Sequence, residues 1–130
     1  LMITGESAKL ADTHGKWGMA PTWGMSQRLP RRIGVVKAKE LMFSGRTISG
    51  QEAVTLGIAN LCVPDDDLLS AAIEMAESFT RNSWHTLRAD KALINVGQNH
   101  FLNDGLIEER ENGPGVAPDM NDRLKAGFKR

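Results

Sequence analysis

The sequence predicts a mostly helical α/β chain, and three observations carry that expectation. Apolar residues recur at helical spacing from Asp65 almost to the C-terminus. A short, nearly all-apolar run, Ile58-Ala59-Asn60-Leu61-Cys62-Val63, lies between Gly57 and Pro64 and reads as a buried strand. Residues 11–25 follow neither period, and they hold Gly15, Gly18, Pro21, Gly24, two tryptophans and a histidine. Long irregular stretches in compact domains often carry function. A buried strand cannot leave its backbone unpaired, so the 58–63 run needs neighbours that the sequence barely supplies. With the abrupt start at Leu1, this makes the chain read as part of something longer.

Composition narrows the classes. The chain has 130 residues, 16 basic and 16 acidic, with 41% hydrophobic and 25% charged side chains. Balanced charge and ample apolar content argue against disorder. Zero net charge argues against a nucleic-acid binder that relies on a basic surface. No run approaches the ~18 apolar residues of a membrane-spanning helix, and no secretion signal opens the chain. The lone Cys62 cannot form an intrachain disulfide, which fits a reducing, cytoplasmic setting.

The elements follow in order. Leu1 to Ile3 can end a strand, and Thr4-Gly5-Glu6-Ser7 is turn-like. Ser26 is expected to cap a helix over 27–33, with Pro30 early in it and Gly34 breaking it. A helix over 35–44 places Val35, Ala38, Leu41 and Met42 on one face and ends at Gly45. Ser49-Gly50-Gln51-Glu52 is a capping box that opens a short helix stopping at Gly57. Asp65 to Asp67 open the next helix, whose expected buried stripe is Leu69, Ala72, Ile73, Ala76 and Phe79. Asn82 or Ser83 caps a helix to about Val96, and another covers 101–110. After the break at Asn112-Gly113-Pro114-Gly115, Asp119 caps a last helix with Met120, Leu124 and Phe128 in step.

Several of these stretches, in order, resemble the crotonase (enoyl-CoA hydratase/isomerase) superfamily. They are Gly18-Met19-Ala20-Pro21 running into Gly24-Met25-Ser26-Gln27-Arg28-Leu29-Pro30-Arg31-Arg32-Ile33-Gly34, then Ala38 to Ser49, Gln51-Glu52-Ala53, Gly57-Ile58-Ala59-Asn60 and Val63-Pro64. Each piece is weak alone, and the ordered set is specific. The resemblance implies an α/β, crotonase-like spiral of ββα units. Residues 1–64 would be the C-terminal part of its core and 65–130 its helical trimerisation region. It implies an acyl-CoA-transforming enzyme working through a thioester enolate, with the coenzyme A thioester as substrate and no cofactor. It also implies a homo-oligomer, trimer or hexamer. The amides that hold the thioester oxygen would lie mostly ahead of Leu1.

Hydratases of this family use two glutamates as acid and base. Counting back from Gln27-Arg28-Leu29, the second glutamate's position falls on His14. The first would lie about twenty residues earlier, and Glu6 does not fit it. Imidazole suits either proton-transfer role near neutral pH, so His14 is the candidate catalytic residue, with a structural loop histidine as the alternative. The replacement weakens the case for hydration and leaves isomerisation, hydrolysis or another reaction through a thioester enolate open. Trp17, Pro21, Thr22 and Trp23 are candidates for the acyl pocket. Trp17 is expected to pack the loop onto the core, and Trp23 stays open between the two roles. Asp12 reads as a turn or cap residue, with orientation of the His14 ring as the alternative.

Arg28, Arg31, Arg32, Lys37 and Lys39 read as a solvated face rather than a phosphate site. Lys125, Lys129 and Arg130 read similarly, with local benefit near a helix C-terminus. The segment 112–115 is not a phosphate loop. His14, His85 and His100 are too scattered to suggest a metal. A non-catalytic assembly module remains the rival class.

Overall fold

In the computed structural model, residues 1–127 are described, and the chain divides into two units, Leu1–Glu74 and Met75–Arg130. The first unit contains β1 (Ile3–Gly5), β2 (Lys9–Leu10), a 3₁₀ turn at His14–Trp17, α1 (Met25–Ile33), α2 (Val35–Ser44), β3 (Ile48–Ser49), α3 (Gly50–Thr55), β4 (Leu61–Val63) and a 3₁₀ turn at Asp65–Asp67. The unit boundary falls within α4 (Leu68–Thr80).

The strands form two small sheets. β1 runs parallel to β4, with Ile3 opposite Leu61 and Gly5 opposite Val63. β2 runs antiparallel to β3, with Leu10 opposite Ile48. The core of this unit is Leu41, Ile48, Ala53 and Ala59, packed by Leu10, Ile33, Val54, Leu56 and Ile58. α2 turns Ala38 and Leu41 inward, three positions apart on one helix face.

The apolar run at 58–63 is only partly a strand. β4 covers Leu61–Val63, and none of its residues is fully buried. Among the described residues its one partner is β1, so it lacks the two-sided cover of a central parallel strand. Ile58 and Ala59 instead fold back under α3, where the carbonyl of Ala53 accepts both their amides at 2.8 and 3.0 Å. The start of β4 is tied to the first residues. The Asn60 amide donates to the Met2 carbonyl at 2.8 Å, and the Asn60 side-chain oxygen accepts the Met2 amide at 2.9 Å.

Two caps in the first unit differ from expectation. α1 begins at Met25, and the carbonyl of Gly24 (φ 91°) accepts the amides of Gln27 and Arg28. Only glycine takes that backbone angle at little cost, so Gly24 starts the helix and Ser26 falls inside its first turn. At α3, Ser49 Oγ accepts the Glu52 amide at 3.1 Å, which is half of the expected box. The other half is missing because the Glu52 carboxylate faces the Arg46 guanidinium at 2.7 Å. A charged donor outcompetes a neutral backbone amide for a carboxylate. Arg46 also donates to Glu40.

α4 buries a different stripe from the one periodicity selects. Leu69 is 73% exposed, and Ile73 and Phe79 are exposed as well. Leu68, Ala71, Met75 and Ser78 are the half-buried positions. The helix is apolar around much of its circumference, so both stripes satisfy the 3.6 period.

The second unit holds the rest of α4 with α5 (Trp84–Gly97), α6 (Leu102–Asn112) and α7 (Met120–Ala126), and α5 packs on α6. Ser83 stands at the start of α5 without capping it. Its hydroxyl donates to Asp119 Oδ1 at 2.8 Å. The other Asp119 oxygen accepts Arg123 Nε at 2.5 Å, and Arg123 donates to the Arg81 carbonyl at 3.0 Å. Asp119 therefore cross-links α5 to α7 instead of capping α7 with its side chain. Trp84, Ile94, Phe101 and Leu102 remain exposed. The expected contribution of Phe128 to the last helix, with Lys129 and Arg130, lies outside the described residues.

Two outcomes test this packing. A Cβ on Gly50 would lie 2.4 Å from the Gly5 carbonyl oxygen and 3.0 Å from Cys62 Sγ and Thr4 Oγ1. Gly50→Ala is therefore expected to cost about 2 kcal/mol in urea unfolding; an unchanged midpoint would show that these groups yield freely. Hydrogen bonds from Arg123, then Ser83, hold the Asp119 carboxyl below the ordinary carboxylate range. Its folded value is depressed, so its contribution is present above the unfolded value of about 3.9 and is lost as pH falls through the folded value. Asp119→Asn should lower the melting temperature at pH 7, and the deficit should shrink towards pH 2.

Candidate functional site

The irregular stretch closes into one tight turn. Between β2 and α1 the chain forms the His14–Trp17 3₁₀ turn, ended by Gly18 in the left-handed region (φ 66°). The Lys16 amide donates to Thr13, and the Met19 amide donates to His14. α2 ends beside this turn at Gly45, also left-handed (φ 58°). A Cβ there would come within 3.1 Å of the Asp12 carbonyl oxygen and 3.2 Å of Lys16 Cε. Glycine at 45 thus serves both the helix end and the close approach of the turn.

Asp12 and His14 form a pair within this turn. The Asp12 side chain is 4% exposed and that of His14 is 21% exposed. Asp12 Oδ1 accepts two donors from His14, the backbone amide at 3.0 Å and ring Nδ1 at 2.5 Å. The first is the usual Asx turn of an aspartate two residues ahead of its donor. The second fixes the plane of the ring. Asp12 is thus both the turn residue and the ring's partner, where the sequence favoured the turn alone. Burial works against ionisation of Asp12, but the amide bond, the ring bond and the charge of His14 together hold its carboxyl below the ordinary value. Nε2 of His14 has no hydrogen-bond partner among the described residues. Trp23 lies edge-on to the imidazole, with ring centroids 6.1 Å apart and planes at 67°.

A cavity of about 420 Å³ opens beside the pair. Asp12 borders it with Leu10 and Lys9 of β2, Met25 and Leu29 of α1, and Ile48 of β3. None of the expected acyl-pocket residues lines it. Trp17 is 73% exposed and Trp23 84%, Thr22 is exposed and Pro21 half-buried. Trp17 does not pack the loop onto the core. Of these four, Trp23 is the one whose ring meets His14.

Asp12-x-His14 followed by Gly15 and Gly18 was the available signal for the paired side chains. The cavity walls had none, because they converge from β2, β3, α1, α2 and Ile58. The basic run on α1 and α2 is a solvated face, as expected, with Arg31 donating to Gln27 and Arg32 to the Gly57 carbonyl. Among the described residues no cluster of His, Cys, Asp and Glu is grouped to hold a metal, and no helix is long and apolar enough to cross a membrane.

Comparison with known proteins extends this picture. Residues 1–112 match the family model described as enoyl-CoA hydratase/isomerase. The short-chain-enoyl-CoA hydratase of Clostridioides difficile is 32% identical over 106 residues, covering 82% of this chain and 68% of that protein. More often the chain spans about two-fifths of a curated relative, 42% and 43% for the relatives from Arabidopsis thaliana and Mycobacterium bovis. The crystal structure of an enoyl-CoA hydratase from Bacillus anthracis superposes with a TM-score of 0.87 at 39% identity, over 95% of this chain and 49% of that one. A Thermobifida fusca protein solved in complex with acetoacetyl-CoA gives a TM-score of 0.75 at 28% identity, over 83% of this chain and 42% of that one. The fold is therefore crotonase-like. With most of its length matched in sequence and nearly all of it in structure, the chain belongs to the enoyl-CoA hydratase/isomerase family.

Proposed function

We propose that this chain is part of an acyl-CoA-transforming enzyme that acts through a thioester enolate, with His14 as the group that moves the proton. The observation that carries the reading is the held imidazole: Asp12 fixes Nδ1 of His14 in a turn of a family chain, leaving Nε2 to meet a substrate. A base at the α-carbon takes one proton, and the electron pair moves onto the thioester oxygen. Backbone amide donors of the kind the family resemblance implies would stabilise that charge.

Among reactions of this class, one imidazole suits double-bond isomerisation. That reaction needs a single group to remove a proton and return it to another carbon, whereas family hydratases draw on two glutamates. The acetoacetyl-CoA bound to the Thermobifida fusca relative supports an acyl-CoA substrate. The thioester is the substrate, and the reaction as proposed calls on no cofactor. Trp17, Pro21, Thr22 and Trp23 would contact the acyl chain, Trp23 from beside the imidazole. Exposed Trp84, Ile94, Phe101 and Leu102 would be covered by other subunits in a homo-trimer or hexamer.

Binding and turnover of enoyl-CoA thioesters by the intact protein test the reading. His14→Ala is expected to keep thioester binding and to lose about 10²- to 10⁴-fold in kcat. An unchanged kcat returns His14 to a structural role, and no thioester binding at millimolar concentration removes the acyl-CoA reading. Native mass spectrometry should show a trimer or its multiple; a monomer at high concentration contradicts the assembly.

A further inference from the structure

We infer that Asp12 is a positioning residue for His14: it selects the Nδ1–H tautomer, aims Nε2 away from the turn, and stabilises the imidazolium formed when Nε2 takes a proton. The inference rests on the proton-transfer role proposed for His14 and adds a second residue to it.

The geometry supplies the reason. One carboxylate oxygen of Asp12 accepts both the His14 amide and ring Nδ1. A carboxylate can only accept, so the ring nitrogen facing it carries the proton and the other nitrogen keeps its lone pair. The side chain is 4% exposed, so water does little to screen it or compete for it. Trp23 stands edge-on to the ring. A residue needed only to form the turn would be satisfied by the amide bond, yet the same oxygen also reaches the ring.

The nearby cations do not replace this partner. Lys16 lies on the same turn with its stem against Gly45. Lys9 and Arg46 border the cavity that Asp12 borders, and Arg46 is engaged by Glu40 and Glu52. Asp12 is the anion bonded to the imidazole. A buried carboxylate bound to a ring nitrogen orients the base and stabilises its protonated form without taking the proton itself.

Two substitutions in the intact protein separate positioning from turn formation. Asp12→Asn keeps an oxygen for both donors and removes the charge. It should lower kcat at least about tenfold with little change in KM, because a neutral amide no longer favours one tautomer of the ring. Asp12→Ser keeps a hydroxyl for the His14 amide but cannot reach the ring. It should lower kcat at least about tenfold with little change in KM. Nitrogen-15 NMR of the His14 ring reads the tautomer independently of activity: Nδ1–H in the wild type and a shift towards Nε2–H in Asp12→Ser. An Nε2–H ring in the wild type overturns the inference whatever the rates show. So does a kcat within about twofold of wild type in both variants. If His14→Ala leaves turnover unchanged while NMR finds the Nδ1–H ring, the orientation by Asp12 stands and the catalytic role of His14 fails.

Discussion

Three segments distant in sequence meet at Gly50. Its position in the first turn of α3 lies under the Gly5 carbonyl at the end of β1, beside Cys62 of β4, with no room for a side chain between them. The Thr4 hydroxyl lies 3.2 Å from the carbonyls of both Gly50 and Leu61 and donates to either. The parallel register of β1 with β4 depends on this contact, because a two-stranded parallel pair of three residues per strand has little stability of its own. Close approach of backbones supplies what strand length does not.

From that junction the site is reached by short steps. Ser49 caps α3 and, with Ile48, forms β3. Ile48 is buried and pairs with Leu10 on β2. Two residues beyond Leu10 the chain arrives at Asp12, and two further on at His14. The depth of Asp12 therefore follows from the register of β2 on β3, and a slip of one residue would turn Leu10 out of the core. On the other side, the left-handed end of α2 at Gly45 lets the turn sit close. Core packing thus sets the burial of the carboxylate and, through it, the environment of the ring.

Much of this was legible in the sequence. Both ends of α2, the Ser49 cap, the break at Gly34 and the helical character after Asp65 follow from local rules about glycine, serine and the 3.6 period. The ordered motifs also pointed to the family. What escaped was decided by competition between partners, some near in the chain and some distant. Glu52 answers Arg46 rather than its own cap, and Ser83 answers Asp119 across 36 positions. The short length of β4 and the buried side of α4 are set by which neighbours cover them, and local pattern carries no record of that. The position of His14 was legible, but the orientation of its ring was not, because that depends on how Asp12 folds back onto it within the turn.

The Asp12–His14 pair is closed over only two residues, and that has a consequence for motion. The loop entropy of bringing the two groups together is small, and no long-range contact is needed to keep them in register. Motion of this turn would carry carboxylate and imidazole together, because both of their bonds lie within it. Such a displacement would alter the reach of the ring towards a bound ligand while leaving its tautomer intact. A site built in this way tolerates drift in its surroundings, because its internal geometry is inherited from three consecutive residues.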